Sequence, residues 1–561
     1  MKKWIGIFFL LSGSILSAQN PLYIPPTLSG PTYNLNLQQD SVQFFPGLKT
    51  QTYGASSAIL GPTLILEKDS TVAMNVQNNL ADTTTMHWHG MHVAPENDGG
   101  PHTIILPGQT WSPSFQIMDK AATYWYHPHL HMKTAEHVVK GIAGFILVKD
   151  AEEAALNLPR TYGVDDFPMV LQTKAFDTSN QIIVDSHEDS IFMINATIDP
   201  YLDAPAQVVR FRLLNGSSNR TYLMGFTDSL TFYQIASDGG LLANPVAMNR
   251  LRLGPGERAE ILLDLGTMQG QTIEMINYCE ELPVGIYGAQ YPAMNQFATL
   301  PGYPTNPLNL YNYTMLTINV VAPTASPVTS VISSGVTVTP LLEANANTTR
   351  TIDFGTTNPG LNFLNGPFVF NGYGFRMDSI NEYVPLNNIE VWTLNNNTQT
   401  YHPFHIHDVQ FYILDRAGNP PALNEQGRKD VVLVAPFQTV RFIAQFSDFE
   451  NDTIPYMYHC HMLPHEDGGM MGQFIVSSTI GIEQGLGDAK SIRIYPNPVR
   501  DVLTISSDSM IDRVNVYTLY GASVPVPANG NKLDVSGLAS GFYVLEVEHE
   551  NTIRRIKFIK D

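Results

Sequence analysis

Short apolar runs separated by turn signals dominate the pattern of hydrophobic and polar positions. Residues 208–215 alternate apolar and basic side chains, and residues 141–148 form an almost continuous apolar run that closes on Val148. The first pattern is typical of a half-buried strand and the second of a buried one. Glycine-rich turn signals follow at 237–240 and 253–258, and only one short helix, at 133–139, is expected. Many short strands with such punctuation predict an all-β protein built of sandwiches.

A length of 561 residues predicts three to five domains. Segments rich in proline, serine, threonine and glycine suggest where the β domains are joined. The predicted organisation is a signal peptide at 1–18, β domains at 20–150, 160–322 and 349–478, linkers at 323–348 and 479–490, and a small all-β unit at 491–561.

The N-terminus has the order of a secretory signal. Lys2 and Lys3 precede an apolar run from Trp4 to Leu16, and small residues follow before Gln19. The run is too short to span a bilayer, and the sequence contains no other run of about 18 apolar residues. We therefore expect a secreted, soluble mature chain.

Charge and cysteine content narrow the function. The chain has 31 basic and 51 acidic residues, a net charge of −20, which disfavours nucleic-acid binding. It has only two cysteines, so it has no disulfide framework. Cys279 is expected to be a small buried apolar residue, and Cys460 lies in the stretch with the most chemistry.

That stretch, residues 459–470, reads HCHMLPHEDGGM. Side chains alternate on a strand, so His459 and His461 face one way and Cys460 the other. A thiolate, two imidazoles and a weak thioether make a blue-copper electron-transfer site. Cys460, His465 and Met470 supply all of these except the second imidazole.

Three more clusters contain histidines two residues apart: His87-Trp88-His89, His127-Pro128-His129 and the 402–407 motif HPFHIH. His402 precedes His405 by three residues and leaves the face of the pair, so it is the natural second imidazole for Cys460. Four His-x-His pairs remain, and eight imidazoles are too many for one zinc ion. They suit a cluster of three coppers.

These four clusters resemble the copper motifs of the multicopper oxidases, most of all the bacterial three-domain laccase, bilirubin oxidase and cuprous oxidase branch. The similarity covers most of residues 55–476. It implies three cupredoxin-like Greek-key sandwiches with four coppers per chain. The implied ligands are His402, Cys460, His465 and Met470 for the type 1 copper, His87 and His405 for type 2, and His89, His127, His129, His407, His459 and His461 for the type 3 pair.

The resemblance also implies a mechanism. A donor gives single electrons to the type 1 copper through His465, and Cys460 passes them by its backbone to the trinuclear site, where O2 is reduced to water. Because copper supplies no protons, acids must lie beside that site. Asp98 and Glu466 occupy the family's positions for them, and Asp430 is a weaker candidate for orienting a type 1 ligand.

The domain arrangement follows from the same resemblance. Domain 160–322 resembles the family's copper-free middle domain, while the trinuclear site is shared between the first and third domains, which must then pack face to face.

Six histidines remain outside the ligand set. His92, His102 and His131 lie close to ligand motifs, so they are either supporting groups or adventitious copper sites. His137 and His549 are expected on the surface, and His187 in a solvated loop.

The substrate is left open by the sequence. Phenolic or other aromatic donors come first, Cu(I) second, as in copper tolerance, and a copper-binding surface protein with incidental oxidase activity third. Cuprous oxidases of the family carry a methionine-rich insert and an acid and a methionine where this chain has Thr398 and Thr400. Met377 is the only methionine between 320 and 400. Without the insert, the His465 edge is expected to be more open to bulky organic donors.

The last block, 491–561, resembles the C-terminal sorting domain of type IX secretion substrates, with a generic carbohydrate-binding or immunoglobulin-like appendage as the alternative. The resemblance implies export through the type IX machinery to the cell surface or medium. We expect a monomer that uses O2 and a small donor.

Overall fold

The computed structural model describes residues 19–184, 188–290, 303, 306–357, 364, 366–478, 493–507, 511, 513–518, 522–549 and 552–560. The chain forms two compact units, one through Ser477 and one from Ser478. The predicted signal peptide, the linker at 479–490 and His187 lie outside the described residues. Across the described part, no helix combines the length and apolar character that crossing a membrane requires.

The first pair of sheets packs around a core that includes Leu64, Trp88 and Ile146. One sheet contains strands Thr27–Ser29, Thr63–Glu67, His87–His89, Ala122–His127 and Gly144–Lys149; the other contains Thr32–Val42, Thr50–Ala55, Thr71–Asn78, Thr110–Trp111 and Ser114–Gln116. Helices Pro95–Asp98, Thr134–Lys140 and Ala151–Ala154 accompany them.

The helix expected at 133–139 is confirmed, one residue later. Gly141 ends it with φ +129°, and its N–H donates to the carbonyls of His137 and Val138. The backbone N–H groups of Thr134 and Ala135 donate to the carboxylate of Asp467, at 3.1 and 2.9 Å. An acidic group at these unpaired N–H groups stabilises the helix start, so this contact ties the first pair of sheets to the third.

The middle pair of sheets is the largest. One sheet contains strands Asn20–Pro21, Pro200–Pro205, Tyr222–Phe226, Leu251–Leu253, Thr272–Asn277 and Tyr313–Val321; the other contains Asp166–Phe176, Ile182–Ile183, Ile191–Ile194, Thr197–Ile198, Val208–Asn215, Phe232–Ser237, Gly240–Met248 and Arg258–Asp264. Three 3-10 turns lie at Thr227–Ser229, Cys279–Glu281 and Pro307–Asn309. Cys279 is fully buried, as expected, and burial raises the pKa of its thiol to about 11.

Residues 323–347 form no strand, but part of this segment packs against the middle pair of sheets. Val328, Val331 and Ile332 pack on the apolar cluster that contains Val208. The N–H of Val208 also donates to the carbonyl of Val328 at 2.8 Å. The segment predicted as a linker is therefore fastened to the middle pair of sheets.

The third pair of sheets holds the 459–470 stretch. One sheet contains strands Thr348–Thr356, Phe368–Phe370, Asn388–Asn396, Tyr412–Arg416 and Thr439–Phe446; the other contains Glu382–Pro385, His402–Ile406, Val431–Val434, Tyr456–Cys460 and Met471–Ser477. Helix Leu463–Asp467 and 3-10 turns Glu343–Asn345 and Leu423–Glu425 complete it.

The second unit has its own small core around Leu503, Val516 and Leu545. Its strands are Arg493–Tyr495, Val502–Ser506, Ala528–Asn529 and Lys532–Asp534 in one sheet, and Arg513–Thr518, Ser523–Val524, Gly541–His549 and Thr552–Lys560 in the other. The prediction of an all-β protein with a small C-terminal β unit is confirmed.

Candidate metal centres

The Cys460 side chain lies in a group of three ligand types, which we call the cysteine group. Strand Tyr456–Cys460 pairs with strand His402–Ile406 and runs directly into helix Leu463–Asp467, which carries His465. Cys460 Sγ is 3.5 Å from Nδ1 of His402 and 3.5 Å from Nδ1 of His465. All three side chains are buried and could hold one metal ion. The sequence prediction that His402 joins Cys460 and His465 therefore agrees with the geometry.

The outer nitrogens of the cysteine group contact neutral atoms. His402 Nε2 is 2.9 Å from the hydroxyl of Thr398, and His465 Nε2 donates to the carbonyl of Leu364 at 2.5 Å. Met470 is fully buried beside them, and its backbone bonds to Cys460 and His465. Its role as an axial ligand stays a prediction.

In the described structure the His465 edge is covered, and the expectation that it is more open than in cuprous oxidases stays a prediction. His465 is only 1% exposed, because the Leu364 backbone and the ring of Phe368, 4.6 Å away between centroids, cover it. The absence of a methionine-rich insert gave no sign of this cover by Leu364 and Phe368.

Eight further imidazoles converge between the first and third pairs of sheets; we call them the imidazole group. Register explains the convergence, since His87 lies opposite His127 on one pair of strands and His405 opposite His459 on another. Rings from the two sides stack across the junction, with centroids 3.8 to 3.9 Å apart for His89 on His405 and His87 on His407. The members are His87, His89, His127, His129, His405, His407, His459 and His461, each at most 1% exposed.

Ring orientation in the imidazole group fits metal ligands. Outer Nδ1 atoms of His87, His127 and His405 donate to backbone carbonyls at 2.8 to 2.9 Å. His89 is reversed, with Nε2 outward, 3.1 Å from Asp430, and Nδ1 inward. Metal-bound histidines almost always hold their second nitrogen in this way.

The inward nitrogens need a cation. His129 Nε2 and His459 Nε2 are 3.1 Å apart, and Nε2 of His87, His405 and His407 has no hydrogen-bond partner within the described structure. Because the outer nitrogens carry the protons, the inward ones present facing lone pairs in a buried space. Copper ions would satisfy them.

Burial favours the neutral form of most of these rings. Desolvation, followed by neighbouring imidazoles, holds the pKa values of His89, His127, His405 and His461 well below the usual range, and it lowers the pKa of His129 to about 3. Neutral imidazole is the form that binds a metal ion.

Both predicted acids touch the imidazole group. Asp98 accepts a hydrogen bond from His407 Nδ1 at 2.8 Å, and its other oxygen is 3.3 Å from His87 Nδ1. Glu466 lies 3.1 Å from His459 Nδ1 and 3.4 Å from His129 Nδ1. Each carboxylate thus bridges two rings, and both are buried.

Two other expectations need correction. Asp430 does not orient a ligand of the cysteine group; it contacts His89 and His405 of the imidazole group. His137 is not on the surface: it is fully buried, Nδ1 is 3.0 Å from the hydroxyl of Thr84, and burial lowers its pKa to about 4. A single histidine in a short helix gave no sign of this burial.

The histidines near the ligand motifs lie outside both groups. His92 contacts Asp408 and Asp448, His102 Nε2 is 2.8 Å from Gln473, and the ring of His131 packs on Phe375. Sequence reasoning missed Trp125, which stacks on His127 with centroids 4.1 Å apart. Its place two residues before His127, on the same face of the strand, was the available signal.

Comparisons with known proteins agree with this geometry. Multicopper oxidase family models match residues 36–153 and 342–479, and the model of a secretion system C-terminal sorting domain matches 493–561. The multicopper oxidase mco of Staphylococcus haemolyticus is 30% identical over 455 residues, which span 80% of this chain and 88% of the relative. The laccase-like multicopper oxidase CueO of Ochrobactrum sp. matches with a TM-score of 0.72 and 30% identity, over 82% of this chain and all of that chain.

One relative has a different name. Cell division protein FtsP of Photorhabdus laumondii is 31% identical over 490 residues, 86% of this chain and 96% of the relative. Overall identity at this level therefore does not separate an oxidase from a protein named for cell division.

Fold, site and comparisons together define a cupredoxin-like copper oxidoreductase. The chain belongs to the multicopper oxidase family and ends in a sorting domain of the type IX secretion system.

Proposed function

We propose that the protein binds four coppers and couples oxidation of phenolic or similar aromatic donors to reduction of O2 to water. The cysteine group, with Met470 as axial ligand, takes the type 1 copper. His87 and His405 take the type 2 copper, and the other six members of the imidazole group take the type 3 pair. The observation that carries the proposal is that Cys460 lies in one group while its neighbours His459 and His461 lie in the other.

Bound copper would accept single electrons from the donor and would pass on the four electrons that O2 reduction needs. The chain supplies the connection, because the backbone from Cys460 to His459 and to His461 joins the two groups covalently. It also excludes water, since every predicted ligand is buried.

Asp98 and Glu466 supply protons in this proposal. Each has carboxylate oxygens within 3.4 Å of two imidazole Nδ1 atoms, so a proton passed on by either acid would start next to the ligands. The outer nitrogens of the cysteine group instead contact the hydroxyl of Thr398 and the carbonyl of Leu364, and in this proposal that group needs only electrons.

Two observations support an organic donor. Thr398 and Thr400 offer hydroxyls where a Cu(I) site would need soft thioether or acidic ligands. The Ochrobactrum relative is described as having oxidase activity towards lignin model compounds and lignosulfonate.

The test is O2 uptake by the copper-loaded full-length protein with a phenol and with Cu(I), side by side. We expect turnover of the phenol without added copper ion and a lower kcat/KM for Cu(I). A clear preference for Cu(I) would mean that Cu(I), and not a phenol, is the substrate. Full copper loading without O2 uptake would favour a copper-binding surface protein.

Export is the second part of the proposal. Residues 1–18 would direct the chain across the inner membrane and residues 491–561 across the outer membrane. Deleting 491–561 should leave active oxidase in the periplasm, measured by activity in cell fractions. Normal release of the truncated enzyme would contradict a sorting role.

A further inference from the structure

A turn of the middle pair of sheets reaches the imidazole group. It joins strands Leu251–Leu253 and Arg258–Asp264, and its glycine, Gly256, has φ +82°. A Cβ at Gly256 would lie 2.8 Å from the ring carbons of His461. The bare backbone of the turn therefore lies directly against a predicted ligand.

Arg258, just after this turn, is a fully buried cation with every N–H donor in use. Two of its N–H groups reach the two oxygens of Asp430, each at 2.5 Å. The others donate to the carbonyls of Thr123, Gly256 and Asp238 at 3.1 Å. A planar, bidentate guanidinium fixes both the position and the direction of the carboxylate it holds.

Asp430 passes that constraint to two predicted ligands. Its Oδ1 is 3.1 Å from His89 Nε2, and its backbone carbonyl accepts from His405 Nδ1 at 2.8 Å. Arg258 belongs to the middle pair of sheets, Asp430 and His405 to the third, and His89 to the first. One ion pair thus joins all three at the imidazole group.

The backbone after His89 is shaped for this contact. Gly90 has φ +85°, and a Cβ there would lie 2.5 Å from Asp430 Oδ2 and 2.7 Å from Arg258 Nη2. The reversed ring of His89 needs an acceptor on its Nε2 side, and the buried Asp430 provides it.

We propose that Gly256 and Arg258 position the imidazole group for copper, so that the middle pair of sheets, which supplies no ligand, still sets the geometry of the trinuclear site. Arg258 aims Asp430 at His89 and His405, and Gly256 backs the ring of His461. The proposal rests on the ligand assignment in the proposed function. Both residues are positioning residues, since neither touches a reacting atom.

Arg258→Lys and Arg258→Met test the first half in the full-length, copper-loaded protein. Lysine keeps the charge but loses the fork, and methionine loses both. We expect either variant to lose copper affinity or turnover by about 10- to 100-fold, the usual effect of changing a group that orients a metal ligand. The electron paramagnetic resonance signal of the type 2 copper should change, while the blue band of the cysteine group stays.

Arg252→Met is the matched control. Arg252 lies on strand Leu251–Leu253, just before the same turn. Its side chain is partly exposed and makes no hydrogen bond or ion pair within the described structure. Copper content, resonance signal and turnover should remain at wild-type values.

Gly256→Ala tests the second half, with Gly270→Ala as its control. Both glycines have φ +82°, but a Cβ at Gly270 would meet nothing within 4 Å. The two variants share the backbone strain and differ in the contact with His461. Only Gly256→Ala should disturb the type 2 and type 3 signals.

Thermal unfolding separates positioning from general stabilisation. If Arg258 acts through the ligands, its variants reduce the rise in Tm that copper gives; an equal fall in Tm with and without copper, with unchanged copper signals, would overturn the proposal. Unchanged signals in Gly256→Ala would overturn its part. Absence of trinuclear copper from the wild-type protein would instead overturn the proposed function and this inference with it.

Discussion

The cysteine group and the imidazole group are joined by single peptide units, yet they are built in opposite ways. The cysteine group lies within one pair of sheets and turns Nδ1 of both histidines inward. The imidazole group spans two pairs of sheets, and in His87, His127, His405 and His407 it turns Nδ1 outward to carbonyls and carboxylates. Its outer partners include Asp98, Glu466 and Asp430, whereas those of the cysteine group are a hydroxyl and a carbonyl.

The difference matches the electron or proton transfer that the proposed function requires of each group. Accepting one electron from a donor requires no proton at the metal, and a neutral, closed shell suits it. Reducing O2 to water consumes four protons, and carboxylates in contact with the ligands can deliver them. In the proposed function, the electrostatic surroundings would therefore divide the reaction, with electron entry on one side of Cys460 and proton supply on the other.

The substitution with the largest expected effect is Cys460→Ser, which removes the thiolate from the cysteine group. Serine cannot provide the thiolate charge transfer that makes the site blue, so the visible band and the turnover should fall to background. The imidazole group should keep its copper, measured by metal content per chain. Cys279→Ser, at a buried cysteine away from both groups, should keep colour and activity. A Cys460→Ser variant that stays blue would contradict the assignment.

The next largest effect is expected when the proposed proton donors of the imidazole group are replaced. Asp98→Asn and Glu466→Gln keep the shape but cannot release a proton, so reoxidation by O2 should slow by about 10²- to 10⁴-fold. Reduction of the blue copper by donor should continue, which stopped-flow absorbance separates from reoxidation. Glu96→Gln, exposed in the same short helix as Asp98, is the control. Unchanged reoxidation in both acid variants across the pH range would remove them from proton delivery.

The sequence predicted how the candidate ligands group together better than it predicted what surrounds them. Alternation on a strand separates Cys460 from His459 and His461, and the 402–407 motif places His402 apart from His405; both are local and independent of the rest of the chain. The same alternation and turn signals predicted the all-β fold. The partners of the outer nitrogens are long-range: Asp430 meets His89 across 341 positions, and no local pattern predicts which carboxylate arrives there.

The sequence likewise did not predict that His465 is covered or that His137 is buried. His465 is closed by Leu364, about 100 positions earlier, and His137 is buried by the way its helix packs. Turn residues 253–258 were recognised as a turn, but its contact with the imidazole group depends on how the pairs of sheets assemble. Sequence patterns report local conformation and say little about such assembly.

His92 tests the effect of buried carboxylates on a histidine that lies outside both groups. Burial alone would lower its pKa, but Asp408 and then Asp119 raise it to about 10. Its folded pKa lies above the ordinary value, so its contribution to stability is complete below about pH 6.5 and is lost as pH rises towards 10. The difference in unfolding free energy between wild type and His92→Asn should shrink by up to about 1.4 kcal/mol per pH unit in that window, measured by denaturant titration.

His102→Gln provides the comparison for that experiment. The His102 ring bonds to Gln473, a neutral partner, and no carboxylate contact is present among the described residues. The slope of its stability difference against pH is the reference over the same range. A slope for His92→Asn no steeper than that reference would mean that its cluster of acids does not hold His92 protonated.

The smallest expected effect is at the neutral side of the comparison, in Thr398→Val. Valine has nearly the same shape but removes the hydroxyl 2.9 Å from His402 Nε2, and a neutral hydrogen bond contributes only about 1 kcal/mol. The position of the blue band and the type 1 potential should shift, with turnover changed by about 10-fold or less, while the type 2 resonance signal stays. Thr400→Val is the matched control, because its hydroxyl donates to the Gly285 carbonyl at 3.0 Å. Equal shifts in both variants would show that the Thr398 hydroxyl does not tune the cysteine group.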